Sequence, residues 1–152
     1  MKNINLVART FGILGCLGAT SAISADSCNG RLTNVGISAE TIEVAKGHSV
    51  TYFVARSSST SENSIHNGVG ECGGYALTTP DGKMRIAGVC ARKNKDGDSW
   101  SDEWGLDPGA QKGWWKQSGG TGVYAGKGNS GWWQIVVDDG KVAMGTWGGT
   151  CN

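Results

Sequence analysis

The segment from Gly131 to Trp147 reads GWWQIVVDDGKVAMGTW. Apolar and polar residues alternate on both sides of Asp139-Gly140, which is typical of β-strands with one buried face. Asp-Gly favours a two-residue hairpin turn because both positions tolerate positive φ. The segment therefore predicts an antiparallel hairpin, and its pairs on the face that we interpret as core are Val137–Val142, Ile135–Met144 and Trp133–Thr146.

A second hairpin is predicted around Pro80-Asp81-Gly82. Counted from Asp81, Cys72 and Cys90 are each nine residues away, so they lie opposite one another and near disulfide range. The other two cysteines beyond residue 25 are Cys28 and Cys151, and four cysteines allow three pairings. The register favours Cys72–Cys90 with Cys28–Cys151, and a bulge in either strand leaves the other pairings open.

The remainder of the chain carries more strand signals. The run HSVTYFVAR alternates with period two, and so does KMRIAGVCAR. Gly- and Asp-rich turns separate such runs, whereas no stretch after residue 25 has helical periodicity with caps. Residues 57–67 are polar and are predicted to form a loop. We expect one small all-β domain, a sandwich or a barrel, over residues 26–152.

The first 25 residues resemble a secretory signal peptide. Lys2 and Arg9 precede a short apolar run, and small residues at Ala22–Ala25 suit cleavage. The run is too short to span a membrane, and the even number of remaining cysteines suits an oxidising compartment. We therefore expect a periplasmic or secreted protein without a membrane span. A lipid anchor at Cys16, in the sequence ILGC, is a minor alternative.

Composition excludes several kinds of partner and cofactor. The formal net charge of the chain is +1, and loss of Lys2 and Arg9 makes it slightly negative. A nearly neutral chain with no basic cluster does not suit nucleic acid. No C-x-x-C motif is present, so a thiolate zinc site is not expected. We expect no metal and no cofactor.

The glycine-rich segment from Gly119 to Trp133 reads GGTGVYAGKGNSGWW. A phosphate-binding P-loop fails at two positions, because Thr121 replaces its first glycine and Gly128 its Ser/Thr. A dinucleotide loop needs a following helix, but a strand pattern follows. We interpret the glycines as residues of tight bends and bulges between strands.

These residues carry a family resemblance. The turn Asp96-Gly97-Asp98, the phrase G-G-T-G-x-Y-x-G over Gly119–Gly126 and the triplet Gly145-Thr146-Trp147 resemble the allene-oxide-cyclase/dirigent-like barrel family, in its bacterial secreted branch. The resemblance implies an eight-stranded antiparallel barrel of the calycin type with a central cavity. Proteins of that wider group bind or reshape hydrophobic small molecules. The resemblance supplies no catalytic residue, so the catalytic residues stay unknown.

All seven tryptophans lie after residue 99. Aromatic residues can fill a small core or line a ligand cavity. In the adjacent pairs 114–115 and 132–133, one tryptophan must face outward because neighbours on a strand point to opposite faces. From this aromatic half we predict a ligand-binding set, with Asp102 as a polar anchor of raised pKa; its members are Trp100, Asp102, Trp104, Tyr124 and Trp132.

The remaining polar candidates suit ordinary surface roles. The stretch DGDSWSDEW is interpreted as a solvated turn that enters a strand, since it lacks the acid spacing of an EF-hand. His48 and His66 have no ligand-like spacing and are interpreted as surface or loop residues. No G-x-S-x-G elbow supports a serine hydrolase.

Three functions remain for such a barrel. The first is the binding of a small hydrophobic or aromatic ligand, and the second is a cofactor-free cyclase or isomerase that confines its substrate. The third is an interaction protein that uses exposed tryptophan to bind a glycan or a protein. An open apolar interior favours the binder, an open interior with an acid favours the enzyme, and a filled interior favours the interaction protein.

Overall fold

The computed structural model describes residues 26–152. The predicted signal peptide and Cys16 lie outside the described residues. Within residues 26–152, no helix has the length and apolar character needed to cross a membrane. A single 3₁₀ turn spans Gly122–Tyr124. The eight strands are β1 (Asp26–Ala45), β2 (His48–Ser61), β3 (Gly68–Thr78), β4 (Met84–Lys93), β5 (Ser99–Leu106), β6 (Gly113–Gly120), β7 (Ser130–Asp138) and β8 (Val142–Cys151).

The strands form one closed antiparallel barrel. Each strand pairs with the next along the chain, and β8 closes the barrel by pairing with β1. This architecture confirms the all-β, eight-stranded prediction. In the closed barrel, each strand has a neighbouring strand on both sides. Successive side chains along a strand point alternately into the barrel and out of it.

The two ends of the barrel differ. At the closed end, the loop 62–67 and the segment 121–129 fold inward, and they bury His66, Tyr124 and Asn129 to 3%, 0% and 0% relative exposure. The chain also enters β1 and leaves β8 at this end. At the open end, the turns 46–47, 79–83, 107–112 and 139–141 leave the barrel interior accessible.

The hairpin of β3 and β4 has the predicted register. Cys72 pairs with Cys90, and Tyr75 with Ala87, around the turn at Asp81. Disulfides join Cys72 to Cys90 and Cys28 to Cys151, the two pairings expected from the sequence. The Cys28–Cys151 disulfide joins β1 to β8 at the closed end.

The hairpin of β7 and β8 differs from its prediction. The Asp139 carboxylate accepts hydrogen bonds from the backbone N–H groups of Lys141 and Val142, so the chain turns one residue later than predicted. A bulge between Ile135 and Val137 shifts the register again. The predicted pairs are therefore wrong. Trp133 and Ile135 do face the interior, whereas Val137 lies outside opposite Met144; the observed interior positions of β8 are Ala143, Gly145 and Trp147.

Many glycines provide space for tryptophan rather than bends. A Cβ at Gly113 would overlap the Trp133 ring, and one at Gly148 would lie 2.9 Å from the Trp132 ring. The predicted role of glycine in tight bends is confirmed for part of the glycine-rich segment. Gly122 has a positive φ of 52°, which side chains other than glycine rarely adopt. The same close approach of a tryptophan to a glycine recurs at four further pairs, Trp100–Gly68, Trp104–Gly88, Trp114–Gly105 and Trp147–Gly30.

Candidate functional site

A cavity of about 540 Å³ runs from the open end to the closed end. Its size lies within the range of small-molecule sites, roughly 300–1,000 Å³. The barrel interior is therefore not filled, so the condition that would favour the interaction protein is not met. The apolar wall is formed mainly by Leu32, Phe53, Ile86, Trp104, Trp115, Trp133 and Ile135.

Strand register places a charged pair in this apolar wall. On β4, Cys90 and Arg92 face inward, and on β5 their partners are Asp102 and Trp100. The Arg92 Nη1 group donates to Asp102 Oδ2 at 2.6 Å, and the two side chains are only 11% and 9% exposed. Trp100 Nε1 donates to the same oxygen at 3.0 Å. The pair is thus buried and directly bonded.

A gap in the side chains of β3 lets Arg92 reach across to β2. Gly70 lies between Ser57 and Arg92 in the ladder. A Cβ at Gly70 would lie 2.7 Å from the Arg92 Cα, so only glycine fits there. The Arg92 Nη2 group donates to Ser57 Oγ at 3.0 Å. The guanidinium is therefore held from two sides, by Ser57 and by Asp102.

Burial dominates the electrostatics of the pair. Desolvation raises the pKa of Asp102 above its ordinary value, while the Arg92 charge and the Trp100 hydrogen bond oppose the increase. Desolvation likewise lowers the pKa of Arg92, against the opposing attraction of Asp102. The pair has no net charge when both groups are ionised, so the cavity does not favour a ligand of either sign.

Three buried polar atoms of the cavity-lining residues have no hydrogen-bond partner. Among the buried side chains of residues 26–152, the unpaired atoms are Asn34 Oδ1, Asp102 Oδ1 and Trp104 Nε1. All three residues line the cavity. The other interior tryptophans donate their indole N–H, as Trp133 does to the Trp114 carbonyl at 3.0 Å. Buried polar groups normally have partners, so these three atoms are exceptions, and each belongs to a residue of the cavity wall.

His66 forms the base of the cavity at the closed end. Its imidazole lies 5.6–5.9 Å, centroid to centroid, from four aromatic rings. Its Nε2 is 3.4 Å from both Gln117 Oε1 and Asn129 Nδ2. Burial lowers the pKa of His66, so the ring is neutral at pH 7. The four rings belong to Trp100, Trp115, Tyr124 and Trp147.

The predicted ligand-binding residues divide into two groups. Trp100, Asp102 and Trp104 lie on one face of β5 and line the cavity together. Tyr124 lies beneath the cavity, where its hydroxyl donates to the Ile65 carbonyl at 2.6 Å. Trp132 lies on the outer surface with the Lys112 ammonium 3.9 Å from its ring centre. Tyr124 and Trp132 therefore do not line the cavity, and ligand binding by the other three residues stays a prediction.

Two site residues were missed from the sequence. His66 was interpreted as a surface or loop residue; it does lie in a loop, but it is 3% exposed. No local signal identifies it, since its partners Gln117 and Asn129 are far along the chain. Arg92 had a signal, because period two from Cys90 places it on the inner face. The described residues 26–152 contain no group of three His, Cys, Asp or Glu side chains that could hold a metal ion.

Comparison with known proteins agrees at the level of the fold. No protein-family model matches the sequence, and no curated protein matches it. Among solved structures, the barrel is similar to that of the pterocarpan synthase dirigent protein GePTS1. The TM-score is 0.53 at 12% sequence identity, over 83% of this chain and 88% of the other. The barrel is dirigent-like.

Proposed function

We propose that the protein binds a small, neutral, largely apolar molecule inside the barrel. The observation that carries the proposal is the open aromatic cavity with unpaired polar atoms on Asp102, Trp104 and Asn34. The aromatic side chains of the cavity wall contact the apolar part of the ligand. The carboxylate oxygen accepts a hydrogen bond from the ligand and the indole N–H donates one, so a hydroxyl group satisfies both.

Tryptophan fluorescence tests this proposal. The probes are 2-naphthol, naphthalene and 2-naphthoate, which share a ring system and differ in the polar group. We expect 2-naphthol to bind about three- to tenfold more tightly than naphthalene, which is the effect of about one net hydrogen bond. We expect 2-naphthoate to bind most weakly, because moving its charge from water into an apolar cavity that offers no net counter-charge is unfavourable.

A blocking variant locates the bound molecule. Ala143→Phe introduces a ring into the cavity, because Ala143 lines it near the open end. The matched control is Ala91→Phe, since Ala91 is exposed on β4. We expect the first variant to lose naphthol binding and the second to retain it. An absence of response to all three probes, or equal loss in both variants, contradicts binding in the barrel.

A second candidate is an isomerase or cyclase that confines an unsaturated substrate. The observation that favours it is Asp102, which lines the cavity, whose pKa is raised by burial and whose Oδ1 has no hydrogen-bond partner. The carboxylate would remove a proton at one position and return it at another, so no cofactor is needed. Asp102→Asn should then abolish turnover while binding persists, and a fully active variant contradicts the role.

We also propose that residues 1–25 are removed as a signal peptide and that the barrel, as a member of the bacterial secreted branch, works outside the cytoplasm. Two disulfides, Cys28–Cys151 and Cys72–Cys90, are compatible with such a location. Sequencing the N-terminus of the protein recovered from culture tests the proposal. A chain that starts at Met1, or one that is lipidated at Cys16, contradicts it.

A further inference from the structure

The outer face of the barrel changes character between its two ends. On β2, outward positions alternate with the positions that line the cavity, and near the open end they carry Val50 and Tyr52. Toward the closed end, the outward positions of the same strand are polar and belong to Arg56, Ser58 and Thr60. The exterior of β2 therefore has an apolar half at the open end and a polar half at the closed end.

The same change occurs on other sides of the barrel. On β8, Val142 and Met144 lie outward near the open end, and Thr146 and Thr150 follow toward the closed end. Further apolar side chains at the open end belong to β1, β3 and β7, and they are Ile42, Val44, Tyr75, Leu77, Val136 and Val137. We name these apolar side chains of the open end, with those of β2, the apolar collar.

Much of the apolar collar is open to solvent. Val44, Tyr52 and Val137 are 61%, 54% and 47% exposed. In the closed half of the barrel, the exposed large apolar side chains of residues 26–152 are more scattered, and they are Ile65, Val69, Val123 and Trp132. An extended exposed apolar surface typically marks a site that contacts a protein or a membrane.

Two pairs of opposed residues give the collar a defined order. Val50 pairs with Leu77, and Tyr52 pairs with Tyr75 on the side toward the closed end. These four side chains line an apolar surface groove of about 400 Å³. Tyrosine is enriched at membrane–water interfaces because its ring is apolar and its hydroxyl is polar. The tyrosine pair therefore suits the level at which an apolar medium gives way to water.

The charged residues of the outer face fit the same order. Beyond the tyrosines, toward the closed end, Arg56 lies opposite Glu71 on the same two strands. From the open end, the outward residues of β2 and β3 are thus aliphatic, then aromatic, then charged. At the rim itself, charges are paired, as Arg85 is with Asp107 at 3.2 Å. Paired charges give the rim no preference for a partner of either sign.

The extent of the collar favours a lipid bilayer over a protein partner. The collar continues from β7 through β8, β1 and β2 to β3, which is more than half of the way around the barrel. A protein interface of standard size covers about 800 Å² of each partner, as a single patch. A bilayer surface, in contrast, surrounds the end of a molecule that enters it.

We propose that the open end of the barrel docks on the surface of a lipid bilayer through the apolar collar. The docking is peripheral, because Glu40, Glu43 and the backbone of residues 37–45, which β8 leaves unpaired, need water or lipid headgroups as partners. Surface-bound segments typically enter a bilayer by about 5–10 Å. The cavity opens at this end, so an apolar ligand passes between lipid and cavity without crossing water.

Flotation with phosphatidylcholine vesicles tests the proposal. We expect the unsubstituted chain to float with the vesicles in both low and high salt, because apolar contact drives the binding. Tyr52→Thr/Tyr75→Thr should bind at least about tenfold more weakly, because two rings are lost while threonine preserves the strands. The matched control is Arg56→Thr/Glu71→Thr, which replaces an opposed outward pair of the same two strands. We expect the control to bind like the unsubstituted chain.

Several results would overturn the proposal. They are an absence of binding to phosphatidylcholine vesicles, an equal loss in both double variants, and binding that requires anionic lipid and disappears in high salt. Hydrogen exchange of the unsubstituted chain guards against misfolded variants. Vesicles should slow amide exchange in residues 37–45 and leave the loop 62–67 unchanged, and exchange in residues 37–45 that ignores vesicles also overturns the proposal. Binding of 2-naphthol is measured without lipid, so the two proposals can fail separately.

Discussion

At the scale of single residues, the proposed function rests on a few polar groups in an apolar barrel. Arg92 and Asp102 form a buried pair whose charges cancel, and one oxygen of Asp102 remains unpaired. A buried pair contributes less to stability than it costs to break, because removing one partner leaves an uncompensated charge.

The first prediction concerns this pair. Arg92→Met should lower the free energy of unfolding by about 3–5 kcal/mol, because Asp102 is left buried without its partner. The double variant Arg92→Met/Asp102→Leu should recover most of that loss. Urea unfolding of the two variants and the unsubstituted chain measures both effects. A double variant as unstable as the single one would show that packing around Arg92, and not its charge, stabilises the barrel.

The second prediction concerns His66 and pH. Burial lowers the pKa of His66 in the folded protein, so the unfolded chain binds a proton first as the pH falls below about 6.5. The free energy of unfolding should therefore fall between pH 7.5 and pH 5. Asp102 acts with the opposite sign, because its raised pKa makes the folded state bind the proton first.

A variant isolates the histidine contribution. His66→Gln keeps a hydrogen-bonding side chain at the base of the cavity but cannot titrate. The difference in melting temperature between the unsubstituted chain and His66→Gln should shrink as the pH falls from 7.5 to 5. A difference that is constant with pH would mean that His66 titrates alike in the folded and unfolded states.

The sequence predicts only some of the residues that line the cavity. Alternation along β5 identified Trp100, Asp102 and Trp104 as one face, and all three line the cavity. His66 could not be found in this way, because a loop residue has no periodicity and its burial depends on strands far along the chain. Tyr124 was expected at the ligand, but a 3₁₀ turn directs it into the closed end.

At the scale of elements, a recurring feature of the strands is a tryptophan ring that packs over a glycine of a neighbouring strand. Each such glycine removes a side chain where a neighbouring indole lies flat against the sheet. Gly113 and Trp133 illustrate the arrangement, because a methyl group at Gly113 would overlap the ring. Glycine is usually unfavourable within a strand, and the packed indole compensates for that cost.

The third prediction follows from this packing. Gly113→Ala should destabilise the barrel by about 1–3 kcal/mol, the usual cost of overpacking. Gly128→Ala is the matched control, because no atom lies within 4 Å of its Cβ position and its φ is not positive. We expect the control to unfold at the same denaturant concentration as the unsubstituted chain or slightly above it. Equal destabilisation of both variants would contradict the role of Gly113.

Hairpin registers show what sequence alone can predict. The β3–β4 register followed from a symmetric count around Asp81, and it is observed without a bulge. The count around Asp139-Gly140 failed, because hydrogen bonds of the Asp139 carboxylate place the turn one residue later. The bulge after Ile135 also has no signature in the local alternation of apolar residues. A single bulge reverses the faces of all residues beyond it.

At the scale of the whole molecule, the two disulfides constrain very different lengths of chain. Cys28–Cys151 joins residues 123 apart, whereas Cys72–Cys90 joins residues 18 apart. Loop-closure entropy grows slowly with length, so the longer connection stabilises the fold more. It also lies at the seam of the barrel, where β1 meets β8.

The fourth prediction compares these bonds. Replacing Cys28 and Cys151 by serine should cost about 1.5–2 kcal/mol more than replacing Cys72 and Cys90 by serine, from the ratio of the two loop lengths. Thermal unfolding of the two double variants under identical conditions measures the difference. A larger loss for the Cys72 and Cys90 variant would mean that packing against the cavity wall outweighs chain entropy.

The seam between β1 and β8 also governs the order of folding. Strands that pair along the chain, such as β3 with β4, need little loop closure, but β1 cannot meet β8 until nearly the whole chain has been made. Folds dominated by such distant contacts fold slowly. The barrel therefore cannot close before its last strand has been synthesised. Late closure of the barrel would suit the export proposed above, because a barrel that has not closed is still open to unfolding during transport.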